Sequence, residues 1–367
     1  MRPRDGDYTA SMATDVVLAK QAEASASSYN PSWVNRLIDW IDRLPGPWWV
    51  GYALVALVGF ILVNIDVGAP RGQSTVGEFS TGTVFWATAA VLVLGIVAHL
   101  DRVANASFDA FRPALTASDD EAHRLRYQLT VLPARPTLLI ALVAIPLALS
   151  FFVGGAFRPD FAGASLPEAA LRAAAEISAA VVVLVLVYRT VRQLRQVRRV
   201  LTHETRIDLF HPRPLYAFSS LTAQTGIVLV VVVVVAALFG PVGWEEESFV
   251  SLYVSWFVAL MVLAVAAFVG PLLGLHRRLA TERTKLQDES EERLKSVLTE
   301  INQEVDTGDL TRASSLGVTL TSLLQQREIV AKLPTWPWST TTFRAFVSAM
   351  MLPAAAFLAQ RLLSQVV

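Results

Sequence analysis

Hydrophobic and polar positions alternate along this chain on the scale of whole helices. Apolar runs of about 20 residues, the length that crosses about 30 Å of hydrocarbon, recur near Trp48–Ile65, Thr81–Leu100, Pro136–Phe157, Glu168–Tyr188, Thr222–Gly240 and Phe249–Leu275. These predict six membrane-spanning helices. A last apolar stretch, Thr340–Leu363, is long enough for a seventh span, but it carries Arg344, Pro353 and Arg361. Cations at the ends of such a helix can snorkel to the interface, so the alternatives are a span and a re-entrant or surface helix.

Between the runs the pattern changes period. Residues 1–29 are polar and rich in Ser, Ala and Asp, and read as a disordered tail. Asn30-Pro31 reads as a helix start, and Trp33, Leu37, Trp40, Ile41 and Leu44 follow at helical spacing before Pro45-Gly46-Pro47. Residues 30–47 are therefore an amphipathic helix, lying in the membrane interface or packed on another helix. The second run is expected to continue as helix to Arg112, stopped by Pro113. Ser118 and Glu121 make a capping-box pattern that opens a short helix reaching Leu132. The fourth run should extend through Arg199. The sixth should extend past His276 to about Val305, with Leu294, Val297, Leu298, Ile301 and Val305 as an apolar stripe. Asp306-Thr307-Gly308-Asp309 is a turn signal, and a return helix with Leu310, Ala313, Gly317, Leu320 and Leu324 on one face follows. The expected architecture is an all-α, polytopic integral membrane protein of six to seven transmembrane helices. It divides into the tail, the amphipathic helix, a membrane domain (48–275), an antiparallel helical hairpin with coiled-coil character (276–335) and a C-terminal segment (336–367).

Charge then sets orientation. The connection Arg189–Arg213 holds seven arginines against Glu204 and Asp208, whereas the next holds Glu245, Glu246 and Glu247 and no cation. Short loops rich in Lys and Arg stay cytoplasmic. The N-terminus, the long connections 101–135 and 189–221 and the hairpin are thus expected inside, and the short connections 66–80, 158–167 and 241–248 outside, in a cell membrane. The first 30 residues lack the apolar core of a signal peptide.

Composition narrows the function classes. Hydrophobic residues make up 53% of the chain and charged residues 17%, with a mean hydropathy of +0.47. Most of the mass belongs in or beside lipid. Net charge is zero, which points to no nucleic-acid partner. With no cysteine, disulfides, thiolate metal sites and cysteine nucleophiles are excluded. Glycine-rich phosphate loops, GxSxG and HExxH are missing from the sequence, so an enzyme is the least favoured class and no cofactor is expected. His203, Glu204, Asp208 and His211 are close in sequence, but their spacing matches no helical ligand pair.

Three groups of residues are candidates for chemistry. Glu176 is drawn into the fourth span together with Arg172, one helical turn away. A carboxylate in a span costs about 2.5–3.5 kcal/mol unless it is paired or wetted. It is either the lining of a transport path or half of a structural pair. Arg189, Arg192, Arg195 and Arg198 recur every third residue. This spacing resembles the charge-bearing helix of voltage sensors over about ten residues. It departs from that pattern because Thr190, Gln193 and Gln196 stand between the cations and a full span already precedes them. The ladder is instead read as an anion-attracting surface, or a contact to lipid phosphate. Gly270, Pro271 and Gly274 are a candidate hinge between the sixth span and the hairpin.

The leading expectation is an ion channel or small-solute transporter, assembled as a homo-oligomer. The alternative is a non-catalytic signalling or scaffold protein that docks a cytoplasmic partner through 277–333. A continuous polar path past Glu176 favours the first, and a dry membrane core the second.

Overall fold

In the computed structural model, the described residues are 29–64, 81–153, 166–203, 209, 213–239, 247–307 and 312–355. Residues 1–28, most of the connections expected on the outer face and the last twelve residues lie outside them. Among the described residues ten α-helices follow in order: α1 (Trp33–Asp42), α2 (Trp48–Asn64), α3 (Thr81–Phe111), α4 (Asp119–Thr130), α5 (Ala134–Val153), α6 (Leu166–His203), α7 (Arg213–Phe239), α8 (Glu247–Thr307), α9 (Ala313–Ala331) and α10 (Thr340–Met350). Among the described residues there is no strand, only an isolated bridge between Pro31 and Pro133.

Four of these helices are long and apolar enough to cross a membrane, at Thr88–Ala114, Ala169–Thr202, Arg213–Leu238 and Val254–Thr307. Trp48–Leu62 and Ala134–Leu149 are apolar but shorter. The long helices α3, α6, α7 and α8 pack on one another, with α2 laid on α3, α5 on α6 and α10 on α7. One region of the core joins Val93, Val97, Val185, Leu186, Leu229, Val233 and Ala264. A second joins Phe108, Phe111, Leu201, Phe218, Leu272 and Leu275. The outward faces of α2 and α5 carry exposed Leu57, Val58, Leu139, Leu142 and Val143, apolar surface of the kind that suits a membrane protein.

Helix ends follow local chemistry. Phe111 closes α3, and a 3-10 turn at Arg112–Ala114 contains Pro113. Ser118 caps α4, accepting from the Glu121 N–H. For α1 the cap is Ser32, not Asn30, and it accepts from the Asn35 N–H. Pro31 precedes the cap and is held in the bridge to Pro133. The buried face of α1 is Val34, Ile38 and Ile41, while Trp40 is 55% exposed. Of the stripe Trp33, Leu37, Trp40, Ile41 and Leu44, Ile41 is buried and Trp33 and Leu37 pack half-buried on the core, whereas Trp40 faces out and Val34 and Ile38 take its place against α2, α3 and α5. Gly46 at φ +116° makes the turn into α2, a conformation side chains other than glycine rarely adopt.

α7 begins at Arg213. Phe218, in its second turn, is fully buried, its ring 4.6 Å from that of Phe111. α9 runs antiparallel along the distal part of α8: Arg312 pairs with Glu300 at 3.1 Å, Arg327 with Glu291 at 3.7 Å, and Arg283 donates to the Ala331 carbonyl. Leu316 and Val330 are buried there, but Leu298 and Leu324, expected at the same seam, are 41% and 47% exposed. α10 accounts for the first part of the apolar stretch at 340–363, and residues beyond 355 lie outside the described residues.

Helix association in lipid depends on close packing, and Gly226 of α7 sits at one such close approach. A Cβ there would sit 2.7 Å from Phe346 and 2.8 Å from the Ala264 carbonyl oxygen, whereas a Cβ at Gly270 would meet nothing within 4 Å. Gly226→Ala is therefore expected to destabilise by about 1–3 kcal/mol through overpacking. Gly270→Ala should be neutral or stabilising by up to about 1 kcal/mol through helix propensity. Melting of both variants in detergent checks the opposite signs.

Candidate functional site

The apolar run of α6 ends at Tyr188, and the next eight residues change its character. At 100° per residue, Arg189, Gln193 and Gln196 share one helix face, with Arg192 beside them. That face is inside the protein. Arg189 is 2% exposed, Thr190 0% and Gln193 2%. A buried guanidinium needs a counter-charge, and α3 supplies it: Arg189 donates to Asp101, and also to Gln193 Oε1 at 3.1 Å. Asp101 was not singled out from the sequence. It is the first charged residue after the apolar run of α3, and that position is the signal that could have found it.

The neighbouring Arg102 reaches another way. It donates to both oxygens of Asp42, each at 3.0 Å, and lies 4.5 Å over the Trp48 ring. Tyr52 also donates to Asp42, at 3.2 Å, and His99 stands 3.3 Å from Gln224 Oε1. Two adjacent residues of opposite sign thus tie α3 to α6 on one side and to α1 and α2 on the other.

Arg192 continues the layer toward the N-terminal segment. It donates to the Tyr29 hydroxyl and, at 3.4 Å, to the Gln128 carbonyl, and lies 5.0 Å over the Tyr29 ring. Tyr29 in turn donates to the Val131 carbonyl at 2.7 Å, and Tyr127 donates to the Tyr29 carbonyl at 2.8 Å. Backbone bonds sew the strip together: Ser32 N–H to the Leu132 carbonyl at 2.9 Å and Ala134 N–H to the Asn30 carbonyl at 3.1 Å. Residues 29–35 are thereby clasped to the α4–α5 connection and to α6.

Burial pushes the Tyr29 hydroxyl up to about 12, with Arg192 opposing it. A raised value means that the unfolded or open form ionises first. The clasp's contribution is therefore full below about pH 10, the ordinary tyrosine value, and is lost as pH rises toward 12. Amide exchange at Ser32 and Ala134 should accelerate across that window more than base catalysis alone accounts for, and Tyr29→Phe should remove the excess.

The other sequence candidates are placed as follows. Glu176 is 5% exposed on α6, while the Arg172 side chain lies outside the described residues. About 20 Å of helix, at 1.5 Å per residue, separates Glu176 from Arg189. The buried side chains between them are Ala179, Val181, Val182, Val185 and Leu186. Arg195 and Arg198 are exposed, so the ladder divides into an inner pair with protein partners and an outer pair facing solvent. His203 through His211 lies largely outside the described residues, and among the described residues no group of His, Asp or Glu could hold a metal ion.

Gly270, Pro271 and Gly274 lie within an uninterrupted α8. The rings on either side of them belong to one stacked column. His276 lies 3.8 Å from Trp336, Trp336 4.3 Å from Trp338, Trp338 5.2 Å from Phe268 and Phe268 4.3 Å from Phe346. His276 Nδ1 is 3.0 Å from the Thr335 carbonyl. A carbonyl only accepts, so the proton is on Nδ1. The column spans the proline and braces it against the segment before α10. Comparison of the chain with protein-family models, curated proteins and solved structures finds no match.

Proposed function

We propose that this chain is a non-catalytic signalling or scaffold protein of the cell membrane, with a closed helical bundle anchoring a cytoplasmic helical hairpin at 277–333. The observation that carries this reading is the apolar interior of α6 between Glu176 and Arg189, packed against the equally apolar Val93, Val97, Leu229 and Val233. Water crossing the bundle along α6 would have to cross that layer. By contrast, α8 at 61 residues is about 90 Å long, three times what a bilayer needs. Its distal part, with α9, presents Leu298, Val305, Val318 and Ile329 at 41–66% exposure. Exposed apolar groups beside charges are what a docking protein or second copy of the chain covers. The arginine-rich 189–213 connection supports a cytoplasmic position for this end.

A second reading, conduction, keeps one observation in its favour: a carboxylate, Glu176, 5% exposed within a spanning helix. Any path would then run between subunits of a homo-oligomer rather than through one bundle.

The chain has no cysteine, so a photo-crosslinker on a single introduced cysteine reads one position without background. In native membranes, Val318→Cys is expected to give a discrete protein adduct and Leu142→Cys, on the lipid face of α5, only lipid. Protein adducts at neither position would remove the docking reading.

A further inference from the structure

We propose that the cleft between α2 and α3 is a binding site for one acyl chain of a membrane phospholipid. The cleft has a volume of about 560 Å³ and runs along the two helices from Trp48 and His99 to Ala56 and Thr88. Small residues hold it open. Ala53 and Ala56 keep the α2 side low, and the Tyr52 ring packs on Gly95, 3.4 Å from where a Cβ would stand. Val91, Leu92 and Ile96 line it from α3.

The lining decides what fills such a space. Close-packed proteins leave few voids larger than a water molecule, and an ordered water needs several polar partners. The polar side chains here are committed elsewhere. Tyr52 donates to Asp42, Thr88 donates to the Phe85 carbonyl, and His99 Nε2 faces Gln224 Oε1. The cleft therefore calls for an apolar occupant. Its length follows from the helix: between Thr88 and His99, α3 rises about 16 Å. That is half of the roughly 30 Å of hydrocarbon in a bilayer, the depth of one leaflet. Only one end is polar. Trp48 is 48% exposed there, and the Arg102 guanidinium lies 4.5 Å over its ring. An indole and a cation at the same depth suit the glycerol and phosphate of a phospholipid, with its acyl chain laid down the cleft. The cleft is open at the side, where Leu92 is 45% exposed and Leu57 of α2 52%. The site rests on the membrane placement of the bundle and is independent of what the hairpin docks.

The full-length protein is reconstituted in bilayers containing a phosphatidylcholine whose acyl chain carries a diazirine. It is irradiated, and the adducts are mapped by peptide mass spectrometry. Adducts per residue at 53–56 and 91–96 are expected to exceed those at 139–143, the exposed apolar face of α5. The excess should be about fivefold, the ratio that a preference of about 1 kcal/mol over bulk lipid gives. Ala53→Phe with Ala56→Phe fills the cleft and should abolish the excess while labelling at 139–143 stays the same. Equal labelling of the two faces, or an excess that survives filling, would overturn the proposal in favour of ordinary bulk lipid. An excess obtained with a diazirine sterol but not with the phospholipid would overturn it in favour of a rigid lipid. Lipid adducts at neither face would overturn the membrane placement itself, and the site with it. Should the double variant fail to fold, Leu92→Trp at the open side of the cleft takes its place, read by the same loss or survival of the excess.

Discussion

Asp101→Asn is expected to be the most damaging single substitution in the bundle. Arg189 is 2% exposed, and Asp101 is its carboxylate partner. Removing one side of a buried ion pair leaves an uncompensated charge and costs about 3–5 kcal/mol. The same charge in water would cost almost nothing, so burial rather than the contact itself sets the magnitude. Asp101→Asn with Arg189→Gln should recover part of the loss, because two neutral amides can bond to each other. Thermal unfolding in detergent reads both. A single variant that melts like the wild type would mean that Arg189 is hydrated and that the polar layer is not closed.

The second large effect is expected at Leu316, which is 6% exposed where α9 meets α8. Leu316→Asp removes a buried apolar group, worth about 2–5 kcal/mol, and puts a charge in its place. Because α9 packs on the distal part of α8, the damage should stay local. Amide exchange over 313–331 should become fast while α3 and α7 keep their protection. Unchanged protection at 313–331 would show that α9 is held by something other than its seam with α8.

The two substitutions bear on different parts of what the sequence could reveal. Local signals were read well. Pro113 after α3, the Ser118 cap and the long run of α8 past His276 all depend on residues within one or two turns. The polar layer does not. Arg189 and Asp101 are 88 residues apart, and Arg192 and Tyr29 are 163 apart. Periodicity could place the arginines on a helix but could not say which of them would be enclosed. The same limit explains Trp336 and Trp338. An aromatic residue near a span end fits a membrane belt, and only the return of the chain past α8 shows that both rings stack on His276 and Phe268. For α1, helical spacing identified an amphipathic helix and Ile41 on its inner face, yet its three packing partners took Val34 and Ile38 rather than Trp40. Glu176 is 5% exposed on α6, and its proposed partner Arg172 has no described side chain.

On the proposed reading, two parts of α6 have different jobs. Its middle would be an apolar seal, and its arginine end is a polar junction. That junction ties the N-terminal segment, α3 and α6 into one body. The aromatic column then fixes α8 where it carries the hairpin away from the bundle.

Ion flux in liposomes reconstituted with folded protein tests the seal most directly. A sealed bundle predicts potassium, chloride and proton leaks no greater than those of protein-free vesicles, with Glu176→Gln indistinguishable from the wild type. Flux well above that background and abolished by Glu176→Gln would contradict a sealed bundle and make Glu176 part of a conduction path.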